Sequence, residues 1–130
     1  FIGAVHRIAA RIDDCYELVC GAFSSSAEKS AKTGALLGLS PERAYPSYQI
    51  LIETEKSLPE DVRVEVISIV TPNHLHFEPA KMALENGFHV ILDKPITLSL
   101  QEALALEKIQ QQTGKKLLLT HTYTGYPMVK

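Results

Sequence analysis

Apolar residues along this chain follow two rhythms. Val64, Val66, Ile67, Ile69 and Val70 form a nearly unbroken β-branched run, which predicts a parallel strand covered on both faces. The run stops at Thr71-Pro72-Asn73. A helical segment then carries Met82, Ala83 and Leu84 to Gly87, at the place of a left-handed C-cap, and a second apolar run from His89 to Leu92 follows at once. Strand, helix and strand in this order make a βαβ unit. In open α/β sheets ligands bind beyond the carboxyl ends of the strands. Those ends carry Thr71, Asn73, His74 and His76 in one case and Asp93-Lys94-Pro95 in the other.

The flanking segments extend the same alternation. Phe1, Ile2, Val5, Ile8, Ala9 and Ile12 have the spacing of an amphipathic helix. Glu17 to Phe23 reads as a strand, with Ser24-Ser25-Ser26 as a polar turn and helix cap before a helix over 27–37. Ser40 and Pro41 have the cap and first-turn arrangement, and Ser47 caps a helix through Ile50, Leu51 and Ile52. Ser99 and Glu102 have capping-box spacing ahead of a helix that stops at Gly114, and Leu117 into Thr122 reads as the last strand. The pattern predicts parallel strands from Glu17, Val64, His89 and Leu117 in one sheet, with helices on both faces.

With 130 residues, 45% of them apolar and 22% charged, the chain has the balance of one globular domain. A formal charge of -2 without a long basic run gives no electrostatic footprint for nucleic acid. No apolar run has the length of a membrane span and the N-terminus does not read as a signal peptide, so the cytoplasm is the expected compartment. Cys15 and Cys20 are too few for a disulfide scaffold and are expected as reduced thiols.

The stretches V-I-S-I-V-T-P-N-H-L-H and H-V-I-L-D-K-P-I-T together resemble the glucose-fructose oxidoreductase / inositol dehydrogenase / MocA family of NAD(P)-dependent oxidoreductases. A-L-E-N-G-F-H-V and T-H-T-Y-T-G-Y-P extend the likeness over most of the chain. The resemblance implies a doubly wound, mainly parallel Rossmann-like α/β sheet, with 1–130 as an incomplete dinucleotide-binding domain. The first strand and glycine-rich turn would lie upstream, Gly3 being a candidate for that turn's last glycine, and a substrate domain would lie downstream. It also implies that Thr71, Pro72, Asn73 and His76 contact the nucleotide and that Lys94 stands near nicotinamide and substrate. Asp93 replaces the family's glutamate, one methylene longer.

Lys94, at a strand end and followed by proline, is the candidate catalytic residue, set to hydrogen-bond a substrate hydroxyl or relay its proton. Asp93 orients Lys94 or contacts the nicotinamide ribose; the alternative is a solvated acid. Ser24 stands where the family often carries a ribose-binding acid, so Ser24 and Ser25, with Lys29 or Lys32 nearby, favour NADP over NAD; otherwise they are a capped turn and a solvated helix face. His74 and His76 lack metal-site spacing, so no metal is assigned. Tyr123 and Tyr126 either line a substrate cleft or pack in a core. The expected activity of the parent protein is hydride transfer between NAD(P) and a sugar, polyol or related hydroxyl compound, a small-molecule partner. Alternatives are a nucleotide-binding scaffold without turnover, or nicotinamide-assisted elimination or hydrolysis. A homo-oligomer is compatible with the sequence but not specified by it.

Overall fold

The structure, a computed structural model, describes residues 2–129; Phe1 of the N-terminal apolar stripe lies outside the described residues. The chain forms two compact units, Phe1–Val64 and Glu65–Lys130.

In the first unit, helix α1 (Ile2–Ile12) contains Gly3 in its first turn and has no buried residue. Helix α2 (Ala27–Leu36) starts on Ser26, whose Oγ accepts from the Lys29 amide at 3.4 Å. Helix α3 (Tyr48–Glu55) starts on Ser47, whose Oγ accepts from the Ile50 amide at 3.3 Å. Both caps are those the serines predict. Pro41–Arg43 is a short 3-10 turn after Ser40.

Glu17–Phe23 does not become a strand. Its ladder contact among the described residues is a single parallel bridge, in which the Gly21 amide donates to Arg43 O and Gly21 O accepts from the Tyr45 amide. A strand exists only where a second one offers a ladder, and Ala44 supplies one rung.

The second unit is βαβαβ. Strands β1 (Val66–Ile69), β2 (His89–Asp93) and β3 (Leu117–Thr120) form a parallel sheet in the order β1-β2-β3. Helices α4 (Phe77–Glu85) and α5 (Leu100–Thr113) make the crossovers. Both crossovers step the same way across the sheet, so right-handed connections put both helices on one face, where they pack against each other. The burial of β2 follows this arrangement: Val90 and Leu92 are buried, while His89, Ile91 and Asp93 of the other face are half-buried. Phe88, Leu84, Ala83, Ala80 and Leu106 fill the layer between sheet and helices.

Coverage of β1 on both faces is not what the structure shows. Ile69 is buried but Ser68 is exposed, because β1 is an edge of this sheet and α4 and α5 share one face. The strand also starts later than the apolar run, since the Val64 amide donates to Glu55 Oε2 at 2.9 Å instead of to a ladder. Gly87 and Gly114 end α4 and α5 with φ of 86° and 67°, the left-handed conformation that a residue without Cβ adopts without strain.

Candidate functional site

The carboxyl ends of β1 and β2 meet at one edge. The last paired residues are Ile69 and Leu92, so Val70-Thr71 and Asp93-Lys94 leave the ladder side by side. Beyond β1, Pro72 leads into a 3-10 turn over Asn73–Leu75. Thr71 closes that turn by donating its hydroxyl to Leu75 O at 2.9 Å, and the Leu75 amide donates to Pro72 O at 2.8 Å. Thr71, Pro72, Asn73 and His74 are exposed. Beyond β2, Lys94 is exposed and joined to Pro95 by a cis peptide bond. Neither the Asn73 amide group nor the Lys94 ammonium has a side-chain hydrogen-bond or ion-pair partner among the described residues. A hydrogen-bonded turn thus presents the Asn73 amide after β1, and the end of the adjacent strand β2 carries the Lys94 ammonium.

Asp93 is anchored from its other neighbour. Thr120 of β3 donates to Asp93 Oδ1 at 2.7 Å, and the register Asp93↔Thr120 puts both side chains on the same face. The sequence reading did not single out Thr120. The signal for it is the register of two parallel strands, which a single chain does not print.

His76, expected at the nucleotide, turns its side chain inward: the residue is 1% exposed, with Nδ1 2.7 Å from Pro95 O and Nε2 3.0 Å from Thr71 O. Both ring nitrogens lie against backbone carbonyls of the strand-end segments, so the ring faces the fold. His89 likewise serves the fold, its Nδ1 accepting from the Lys116 amide at 2.9 Å. No three His, Cys, Asp or Glu side chains among the described residues converge to hold a metal ion. Tyr123 and Tyr126 are 71% and 54% exposed, with ring centroids 5.7 Å apart, so neither packs in a core.

In the first unit, Ser24 Oγ accepts from the Ser26 amide at 3.2 Å, which shapes the turn before α2. Ser25 and Lys29 are exposed, whereas Lys32 pairs with Glu28 at 2.7 Å. The buried serine is Ser30, which donates to Tyr45 O at 2.6 Å and accepts from the Phe23 amide at 2.9 Å.

This unit also holds an ionic cluster that the sequence reading missed. Glu55 is fully buried, and its carboxylate accepts from Tyr45 OH at 2.7 Å, Arg43 Nη2 at 3.1 Å and the Val64 amide. Arg43 Nε lies 3.0 Å from Oε1, an ionic contact off the hydrogen-bond axis. Desolvation on this scale is tolerated only because the acid is satisfied on both oxygens. Burial first, and then the Glu55 carboxylate, push the neighbouring Cys20 thiol up to about 12. Burial and the bond to Glu55 likewise hold the Tyr45 phenol well above its ordinary range. These residues brace the unit rather than offer chemistry.

Comparison with known proteins bears on the family and the fold. The model of an oxidoreductase family with an NAD-binding Rossmann fold matches residues 1–121. An uncharacterised oxidoreductase of Bacillus subtilis, YfiI, is 36% identical over 98% of this chain and 32% of its own length. The crystal structure of an oxidoreductase from Sinorhizobium meliloti superposes with a TM-score of 0.90 at 50% identity, over 98% of this chain and 36% of that one. An inositol dehydrogenase homologue from Azotobacter vinelandii, complexed with NADH and myo-inositol, gives a TM-score of 0.91 at 36% identity, over 98% of this chain and 33% of its own. The chain spans about a third of the length of the curated relatives it matches. No helix among the described residues is long and apolar enough to cross a membrane.

Proposed function

This chain belongs to the glucose-fructose oxidoreductase / inositol dehydrogenase / MocA family of NAD-binding Rossmann-fold oxidoreductases, and from that premise we propose that it is the nucleotide-binding part of an enzyme that moves a hydride between NAD(P) and a sugar, polyol or related hydroxyl compound. The observation that carries the reading is the pairing of two exposed groups, Asn73 and Lys94, at adjacent ends of parallel strands. The donor set suits a dinucleotide: an amide that both donates and accepts, a proline-fixed turn, hydroxyls and a cation. A polyol substrate draws support from the myo-inositol held by the Azotobacter vinelandii relative.

A bound nicotinamide supplies the hydride acceptor or donor. The chain's own residues do the rest. Thr71, Pro72 and Asn73 bind through a turn that is already closed, so little ordering is needed on binding. Lys94 donates a hydrogen bond from Nζ to the substrate carbonyl and gives a proton to the hydroxyl that forms in reduction; in oxidation the neutral amine takes that proton back as the carbonyl forms. Asp93, held by Thr120, fixes the backbone from which Lys94 projects or reaches the nicotinamide ribose. Ser24, Ser25 and Lys29 suit a 2′-phosphate better than a bare ribose, which favours NADP.

The test uses the full-length protein, loaded with NAD or NADP in single turnover and challenged with inositols and hexoses while nicotinamide absorbance is followed. Reduced nucleotide is expected with at least one substrate of the panel. Tight nucleotide binding with no reduction across the whole panel would remove hydride transfer to this substrate class.

A further inference from the structure

We propose that His76 is a positioning residue, whose imidazole clasps the Thr71 carbonyl to the Pro95 carbonyl and thereby sets where Lys94 stands relative to Asn73. The inference rests on the hydride-transfer reading above for its catalytic consequence, but the clasp itself stands on geometry. Backbone pairing between β1 and β2 stops at Ile69 and Leu92. Beyond that point, the hydrogen bond that joins segment 70–76 to segment 94–97 among the described residues is the one between His76 Nδ1 and Pro95 O, at 2.7 Å, while Nε2 lies 3.0 Å from Thr71 O within the first segment. Both neighbours are backbone carbonyls, so the ring N–H donates to one of them according to the tautomer, and the other ring nitrogen packs against the second.

The surroundings give the clasp leverage. Thr71 opens the turn that carries Asn73, and Pro95 directly follows Lys94. His76 is itself held: its amide donates to Asn73 O at 3.3 Å and its carbonyl accepts from the Ala80 amide at 3.2 Å, at the start of α4. The ring is 1% exposed and cannot swing to solvent without opening this corner. A rigid first helical turn therefore reaches across to the next strand's end. Elements that must be mutually placed to a fraction of an ångström are joined by one side chain.

Three variants of the full-length protein separate the two ring contacts. His76→Phe keeps the ring shape and removes both ring nitrogens. His76→Asn keeps a donor near the Nδ1 position, toward Pro95, and His76→Gln keeps one near Nε2, toward Thr71. In nucleotide-free protein, mass-spectrometric hydrogen exchange should speed up by about tenfold or more in both 71–76 and 96–99 for His76→Phe. At saturating nucleotide its single-turnover hydride transfer should fall by roughly tenfold to a hundredfold, while the nucleotide Kd moves by less than about threefold. His76→Asn should retain more of the rate than His76→Gln, because the bond to Pro95 bears on Lys94.

A folded His76→Phe protein with unchanged exchange and a rate within about threefold of wild type would overturn the proposal. If that variant does not fold, the other two decide: equal rates for His76→Asn and His76→Gln overturn it, and the expected order supports it. If the wild-type protein reduces no nucleotide, the hydride-transfer reading fails separately. Exchange then decides the clasp, joint loss of protection in the two segments supporting it and unchanged protection overturning it.

Discussion

Thr120 donates its hydroxyl to Asp93 Oδ1 at 2.7 Å, so the acid beside the candidate catalytic lysine is held from the neighbouring strand. Thr120→Val keeps the β-branched shape and deletes the donor. We expect a stability loss of about 1 kcal/mol in urea unfolding, the usual net value of one such bond. Hydride transfer in the full-length protein should also slow, because the backbone leading to Lys94 is less well fixed. No change in either measurement would mean that the bond is incidental.

Lys94→Met keeps the apolar stem and removes the ammonium. Since Lys94 is exposed and makes no ion pair among the described residues, unfolding midpoints and nucleotide affinity should stay close to wild type. Single-turnover reduction should drop by about 10² to 10⁴, the range for a proton-handling side chain. A drop of only about threefold, far below that range, would move the role to another residue.

Ser24→Asp tests nucleotide choice. Aspartate can accept from the Ser26 amide as Ser24 does, so the turn should survive the change. A carboxylate there should weaken NADP by about tenfold through repulsion of the 2′-phosphate and leave NAD within about twofold. Titrations of both nucleotides by nicotinamide fluorescence give the answer, and equal effects on the two would discard the NADP preference.

Cys20 gives a pH prediction with a definite sign. Its thiol rises from the ordinary 9.0 to about 12 in the folded chain, chiefly through burial. The folded state therefore favours the neutral thiol, and this contribution to stability is complete below about pH 9 and is lost as pH climbs through 12. In native protein at pH 9 to 10, iodoacetamide should label exposed Cys15 and spare buried Cys20, and denaturant should expose both. Equal labelling of the two in native protein would contradict the burial.

The second unit was legible because its signals are local. A β-branched run, a left-handed glycine and a capping serine each act within a few residues, and together they define β1, α4, β2 and α5. What the chain did not disclose depends on distance. The orientation of His76 is decided by a carbonyl 19 residues away, and the anchoring of Asp93 by a hydroxyl 27 residues away. Glu17–Phe23 failed for the same reason: its residues have strand-like character, but the second strand that would complete a ladder is not specified by them. Glu55 reads as one more surface acid until Arg43, Tyr45 and Val64 fold around it.

The alternation along β2 also governs how this segment can change over evolutionary time. Val90 and Leu92 face the helices while Asp93 faces away, and the count of residues from Gly87 sets that parity. A single insertion or deletion between Gly87 and Val90 would turn the two apolar side chains outward and the carboxyl toward the helices. Point substitutions can be absorbed here one at a time, but a change in length inverts the whole strand at once. Descendants of this chain can therefore vary in spelling within this segment but not in length.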